Sequence, residues 1–197
     1  NLALTVSYYL FLPLRFTSEF PFIGMTPIAF REWGYYEPMA GGLFTTCPLL
    51  LLALAAPFLR RRMHRSGYWG LATCSLALAM LLAVFDSHTA GLGWRYICDF
   101  GWMMAIAALA PMLYLMHPGG GDAIAAGAPD PSERNEPRRD VTKRHPMALA
   151  CVRGLVAAVL MASIILAVLA CFIPGRDDSL INNNPVLYDT VVAWFRL

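Results

Sequence analysis

The stretch MALACVRGLVAAVLMASIILAVLACF (Met147–Phe172) runs for 26 residues with a single charge, Arg153. At about 1.5 Å per residue, a helix of this length crosses the roughly 30 Å hydrocarbon layer of a bilayer. Such a helix closes its own backbone hydrogen bonds, as a medium without water demands. Three more stretches read the same way. Met39–Leu59 and Gly67–Phe85 are uncharged, and Ile97–Met116 carries only Asp99. The expected fold is all-α: a polytopic transmembrane helix bundle with four complete spans. LALTVSYYLFLPL at the start is apolar but too short to cross, and it lacks the basic start and cleavage pattern of a signal peptide. Residues 1–14 are therefore read as a truncated transmembrane helix. An N-terminal part of the same protein becomes an expected partner.

Composition agrees. Hydrophobic residues make up 58% of the chain and charged residues 14%, against roughly 25% charged in ordinary soluble domains. Mean hydropathy is +0.53. The expected surroundings are a lipid bilayer. The net charge of +2 does not point to nucleic acid, because the basic residues fall where a membrane topology places them. Cys47, Cys74, Cys151 and Cys171 lie inside apolar runs and Cys98 beside one, as small hydrophobes do. There is no CxxC and no Cys/His grouping at zinc spacing. No cofactor is read from the sequence, and a divalent metal is left open.

Lys and Arg set the orientation. Arg60, Arg61, Arg62 and Arg65 follow the first full span, and Arg134, Arg138, Arg139, Lys143 and Arg144 lie in the 117–146 loop. Those nine mark the cytoplasm, against Arg15, Arg31, Arg95, Arg176 and Arg196 on the other side. Arg153, near the cytoplasmic end of the last span, snorkels to the boundary. The resulting plan has an extracytoplasmic aromatic loop at 15–38 and three transmembrane helices within 39–116. A flexible cytoplasmic loop follows at 117–146, then a transmembrane helix at 147–172 and an extracytoplasmic C-terminal segment at 173–197. Short interfacial helices are expected in both outer segments, one capped by Thr26 before Pro27, the other beginning at Pro185 behind a capping Asn183 or Asn184.

Polar chemistry gathers on the outward side: Glu19, Glu32, Glu37, Asp86, His88, Arg95, Asp99, Asp177, Asp178 and Asp189. In GWRYICDFGW (Gly93–Trp102), Arg95 and Asp99 are four apart and share a helix face. A carboxylate one turn inside an apolar span needs a partner or a wet cavity. One reading is an ion pair that fixes the helix at the boundary. The other is a pocket for an anionic head group, with Arg95 on the phosphate and Asp99 orienting it. Asp86 and His88 in FDSHTAG belong to the same outward hairpin. They are read either as helix-end and loop groups or as an acid–base pair. Arg95, Asp99, Asp86 and His88 form the candidate substrate or lipid-phosphate pocket.

RFTSEFPFIG, GWRYICDFGW and NNNPVLY resemble the C-terminal membrane region of bacterial multi-pass proteins related to C-type glycosyltransferases. That resemblance implies a protein of the bacterial cytoplasmic membrane, extracytoplasmic at its C-terminus, using a polyprenyl-phosphate-sugar in cell-envelope glycan synthesis. The catalytic carboxylates of that family lie in a first outward loop that this sequence does not include, so no catalytic residue is carried over. Two other functions remain: a lipid or glycolipid flippase or transporter, and a non-catalytic structural subunit of an envelope assembly.

Overall fold

The computed structural model describes residues 2–28, 36–59, 68–116, 146–175 and 179–195. It is mostly helical, and the all-α class fits. In chain order the elements begin with α1 (Leu2–Phe11), β1 (Arg15–Phe16), β2 (Ile23–Gly24) and α2 (Leu43–Thr46). A 3₁₀ helix over Pro48–Ala55, α3 (Tyr68–Thr89) and a 3₁₀ turn over Trp94–Tyr96 follow. The chain continues with α4 (Ile97–Met116), α5 (Pro146–Ala170), α6 (Leu180–Asn183) and α7 (Pro185–Phe195).

Three of the described helices are long and apolar enough to cross a membrane: Tyr68–Thr89, Trp94–Met116 and Leu149–Ala170. They mark an integral membrane protein. The fourth expected span, Met39–Leu59, is not one long helix. It breaks at Cys47 into four residues of α-helix and eight of 3₁₀ helix. Proline explains the break: Pro48 has no N–H to give, and its ring crowds the carbonyl four residues back. Pro111 is accommodated inside α4.

By internal contacts the chain divides into two units. The first comprises Asn1–Pro48, Ala79–Gly101 and Leu160–Leu197, and the second Leu49–Leu78 and Trp102–Val159. In the second, the buried apolar residues are Leu50, Ala53, Ala56, Ala72, Met104, Ala107, Ala108 and Val156. Met104, Ala107, Ala108 and Pro111 continue one helical stripe along α4.

The first unit holds most of the irregular backbone. Where interfacial helices were expected in 15–38, residues 15–24 form an antiparallel hairpin that pairs Arg15 with Gly24 and Phe16 with Ile23. Pro21 at its tip is incompatible with helix continuation. Thr26, expected as a helix cap, instead donates its hydroxyl to the Pro13 and Ala40 carbonyls at 2.9 and 3.3 Å. Its backbone N–H goes to the Met39 carbonyl at 2.9 Å. The remainder of that expected helix, 29–35, lies outside the described residues, as do the basic turn 60–67 and the loop over 117–145. Ile23, Ala40, Ala170 and Ile173 form a buried cluster, with Met25, Trp94 and Leu169 against it.

The carbonyl of Leu12, left over where α1 stops before Pro13, is met twice. Gly42 N–H reaches it at 2.8 Å and the Thr45 hydroxyl at 2.6 Å. Position 42 must be glycine for this approach, since a Cβ there would stand 2.6 Å from backbone atoms of Leu10, Phe11 and Leu12.

Candidate functional site

The polar centre of the first unit is built around the tripeptide Gly91-Leu92-Gly93, which links α3 to the 3₁₀ turn. The Ala90 N–H closes back on the Asp86 carbonyl at 2.9 Å, and the chain then leaves the helix through Gly91 at φ +87°. Positive φ is the usual way to end a helix, and glycine adopts it without a Cβ penalty.

Two elements clamp the tripeptide. Tyr9 of α1, fully buried, donates its hydroxyl to the Gly91 carbonyl at 3.0 Å and accepts the Gly93 N–H at 3.0 Å. Its ring sits edge-on to Phe100, centroids 5.6 Å apart. From the extended segment at Tyr36, which bridges Leu92, Glu37 N–H donates to the Leu92 carbonyl at 2.9 Å. The same residue's carboxylate then reaches Arg95: Nε to Oε2 is 3.5 Å. The Arg95 side chain is 67% exposed and that of Glu37 only 20%.

Arg95 is thus anchored to Glu37, a residue far off in sequence. The partner expected from helix periodicity was Asp99. Asp99 lies in the first turn of α4 and is exposed. Its charge is favourably placed against the positive end of the helix dipole. Asp86 behaves differently. It is 7% exposed, and its Oδ2 is buried with no hydrogen-bond donor. A buried carboxylate oxygen without a donor is expensive. Asp86 lies within electrostatic reach of Asp99, and Tyr9 within reach of Asp86, Asp99 and Tyr96. His88, two residues beyond, is exposed.

The structure therefore gathers Asp86, Asp99 and Arg95 at one helix-loop-helix junction and adds Tyr9 and Glu37. In the sequence Glu37 is one of several outward carboxylates, and no spacing assigns it a partner. Tyr9 is not legible in the sequence, because a lone tyrosine in an apolar segment gives no signal that its hydroxyl closes a loop 82 residues away. Glu19 sits at the hairpin tip, where its carbonyl accepts Phe22 N–H and the Thr17 hydroxyl. Asp189 is exposed on α7. Glu32, Asp177 and Asp178 lie outside the described residues. Among the described residues, no three His, Cys, Asp or Glu side chains are grouped to hold a metal ion.

Chemically, the junction offers an exposed guanidinium held through Nε on a largely buried carboxylate. It also offers a second carboxylate whose inner oxygen lacks a donor. An Arg held in this way suits an anion with several oxygens, for which its fork is shaped. Searched against family models, curated proteins and solved structures, the chain matches none.

Proposed function

We propose that the junction around Arg95 receives the phosphate of a lipid-linked sugar, and that the protein serves a glycosyl transfer from polyprenyl phosphate at the outer face of the bacterial cytoplasmic membrane. The observation that carries this reading is the Arg95–Glu37 anchor. It presents a guanidinium, 67% exposed, at the start of a 23-residue apolar helix. A polyprenyl chain lying along such a helix would bring its phosphate to that end. Asp99, exposed one turn further on, lies beside it as an acceptor for hydroxyl groups of the attached sugar.

The test is transfer of radiolabelled sugar from polyprenyl phosphate in membranes that contain the protein. Arg95→Ala should cut transfer by at least about tenfold, the loss of one charge-assisted contact of ~1.5–3 kcal/mol. Arg95→Lys should restore part of it. Transfer unchanged in Arg95→Ala and Asp99→Asn together would refute the reading. A second reading, translocation of the lipid itself, is favoured by the broken Met39–Leu59 segment, since interrupted helices are characteristic of transport sites. Under it, lipid would cross vesicle membranes without sugar transfer.

A further inference from the structure

The C-terminal segment is folded back onto the end of α5. Leu180 N–H donates to the Cys171 carbonyl at 3.0 Å. Helix α7 then starts cleanly: Pro185 is its first residue, and the Asn184 side-chain oxygen accepts Leu187 N–H at 3.1 Å. An aromatic cluster pins its far end. The Phe195 ring stacks on Phe20 of the hairpin tip, centroids 4.5 Å apart and planes 10° apart, and meets Phe22 edge-on at 5.9 Å. Phe20 in turn meets Phe172, just past α5, at 5.2 Å, and Phe172 lies 6.3 Å from Tyr188.

This docking uses the Tyr188/Val192 side of α7, with Val192 buried. It leaves another apolar stripe uncovered. Leu187, Val191 and Trp194 are spaced four and three apart and share one face. Leu187 and Trp194 are exposed, Trp194 at 72%. Asp189 falls on the opposite side of the helix. The C-terminal half of α5 also exposes apolar side chains, Ile164, Ile165 and Val168.

We infer that α7 lies flat in the boundary layer of the bilayer at the C-terminal end of α5, with Leu187 and Trp194 turned to lipid and Asp189 to water. Its occupant is the phospholipid surface, because the described helix carries a single charge, Asp189, on the side away from its uncovered apolar stripe. The bond from Leu180 N–H to Cys171, just past a helix long and apolar enough to cross a membrane, supports this, as does Trp194, whose ring, at once apolar and hydrogen-bonding, favours the boundary. The inference does not depend on the sugar-transfer reading.

The test places nitroxide labels at Leu187→Cys, Asp189→Cys and Trp194→Cys in the full chain with its five native cysteines replaced, reconstituted in phosphatidylcholine vesicles. Oxygen collisions should exceed nickel-complex collisions at 187 and 194, and the ratio should reverse at 189. Independently, acyl-brominated phosphatidylcholine should quench wild-type fluorescence more than that of Trp194→Phe. Water-like accessibility at 187 and 194 would overturn the inference. So would shielding from both reagents, which would mean that another protein surface covers the stripe, and so would equal quenching of the two proteins.

Discussion

Replacing Tyr9 with Phe removes one oxygen atom and little else. The ring keeps its edge-on contact with Phe100, 5.6 Å between centroids, so packing is nearly constant. What is lost is the bridge between the Gly91 carbonyl and the Gly93 N–H, each 3.0 Å from the hydroxyl. A buried backbone group left without a partner costs about 1–3 kcal/mol. The Gly93 N–H is fully enclosed and belongs at the upper end of that range. The Gly91 carbonyl is only part-buried and has a second lone pair, so it belongs at the lower end. The sum is about 2–4 kcal/mol. At roughly 2–4 °C per kcal/mol for a chain of this size, the midpoint of thermal inactivation should fall by about 4–16 °C. The assay is size-exclusion chromatography after heating in mild detergent. Hydrogen exchange adds a local readout: the Gly93 amide should exchange about tenfold faster or more, since ~1.4 kcal/mol is a factor of ten. A Tyr9→Phe protein that melts within about 1 °C of wild type, with Gly93 still protected, would refute the clamp, because the cost of two orphaned groups would then have been absorbed elsewhere.

Other expectations follow from the same geometry. Gly42→Ala should prevent stable accumulation in the membrane, because its Cβ would meet three backbone atoms at 2.6 Å. The expected cost is about 3 kcal/mol or more, read as loss of monodisperse protein. Gly154→Ala, where a Cβ meets nothing within 4 Å, should be tolerated or slightly stabilising. Glu37→Gln should leave thermal stability nearly unchanged, within about 1 kcal/mol, since Arg95 is mostly exposed. Under the proposed function it should still lower sugar transfer, because the guanidinium loses its charged anchor. Phe195→Ala should loosen α7 by about 1 kcal/mol through the lost ring pair with Phe20, seen as faster proteolytic trimming of the C-terminus.

The long helices were legible because apolar length alone determines them. A run such as Gly67–Phe85 or Ile97–Met116 has few alternatives to a helix in lipid. Met39–Leu59 was misjudged by the same criterion. Its residues are equally apolar, but Gly41, Gly42 and Pro48 matter there through close contact and backbone chemistry, which hydropathy does not weigh. The hairpin at 15–24 was hidden for a related reason. Two-residue strands leave no period to detect, and RFTSEFPFIG advertised its aromatics more loudly than its turn. At the polar junction, the location was readable from charge placed at the edge of an apolar run. Helix periodicity pointed Arg95 to Asp99 and had no means of bringing in Glu37, whose position depends on the backbone bond to Leu92.

Hydroxyl groups show what the irregular backbone of this protein needs. Where helices stop, carbonyls lose their intrahelical partners, and near a bilayer water is a scarce substitute. Tyr9 serves the Gly91 carbonyl, Thr26 those of Pro13 and Ala40, and Thr45 that of Leu12. Each donor reaches a carbonyl at least 13 residues distant in the chain. These bonds hold α1, the hairpin return and the α2 start to one another and to the Gly91–Gly93 loop. Among the described residues of the first unit, Asp86 Oδ2, Glu37 Oε2 and Ser179 Oγ are buried without such a hydrogen-bond partner. Glu37 at least faces the Arg95 guanidinium at 3.5 Å, so of the two carboxylates Asp86 is the one that a hydrogen-bond donor would relieve most.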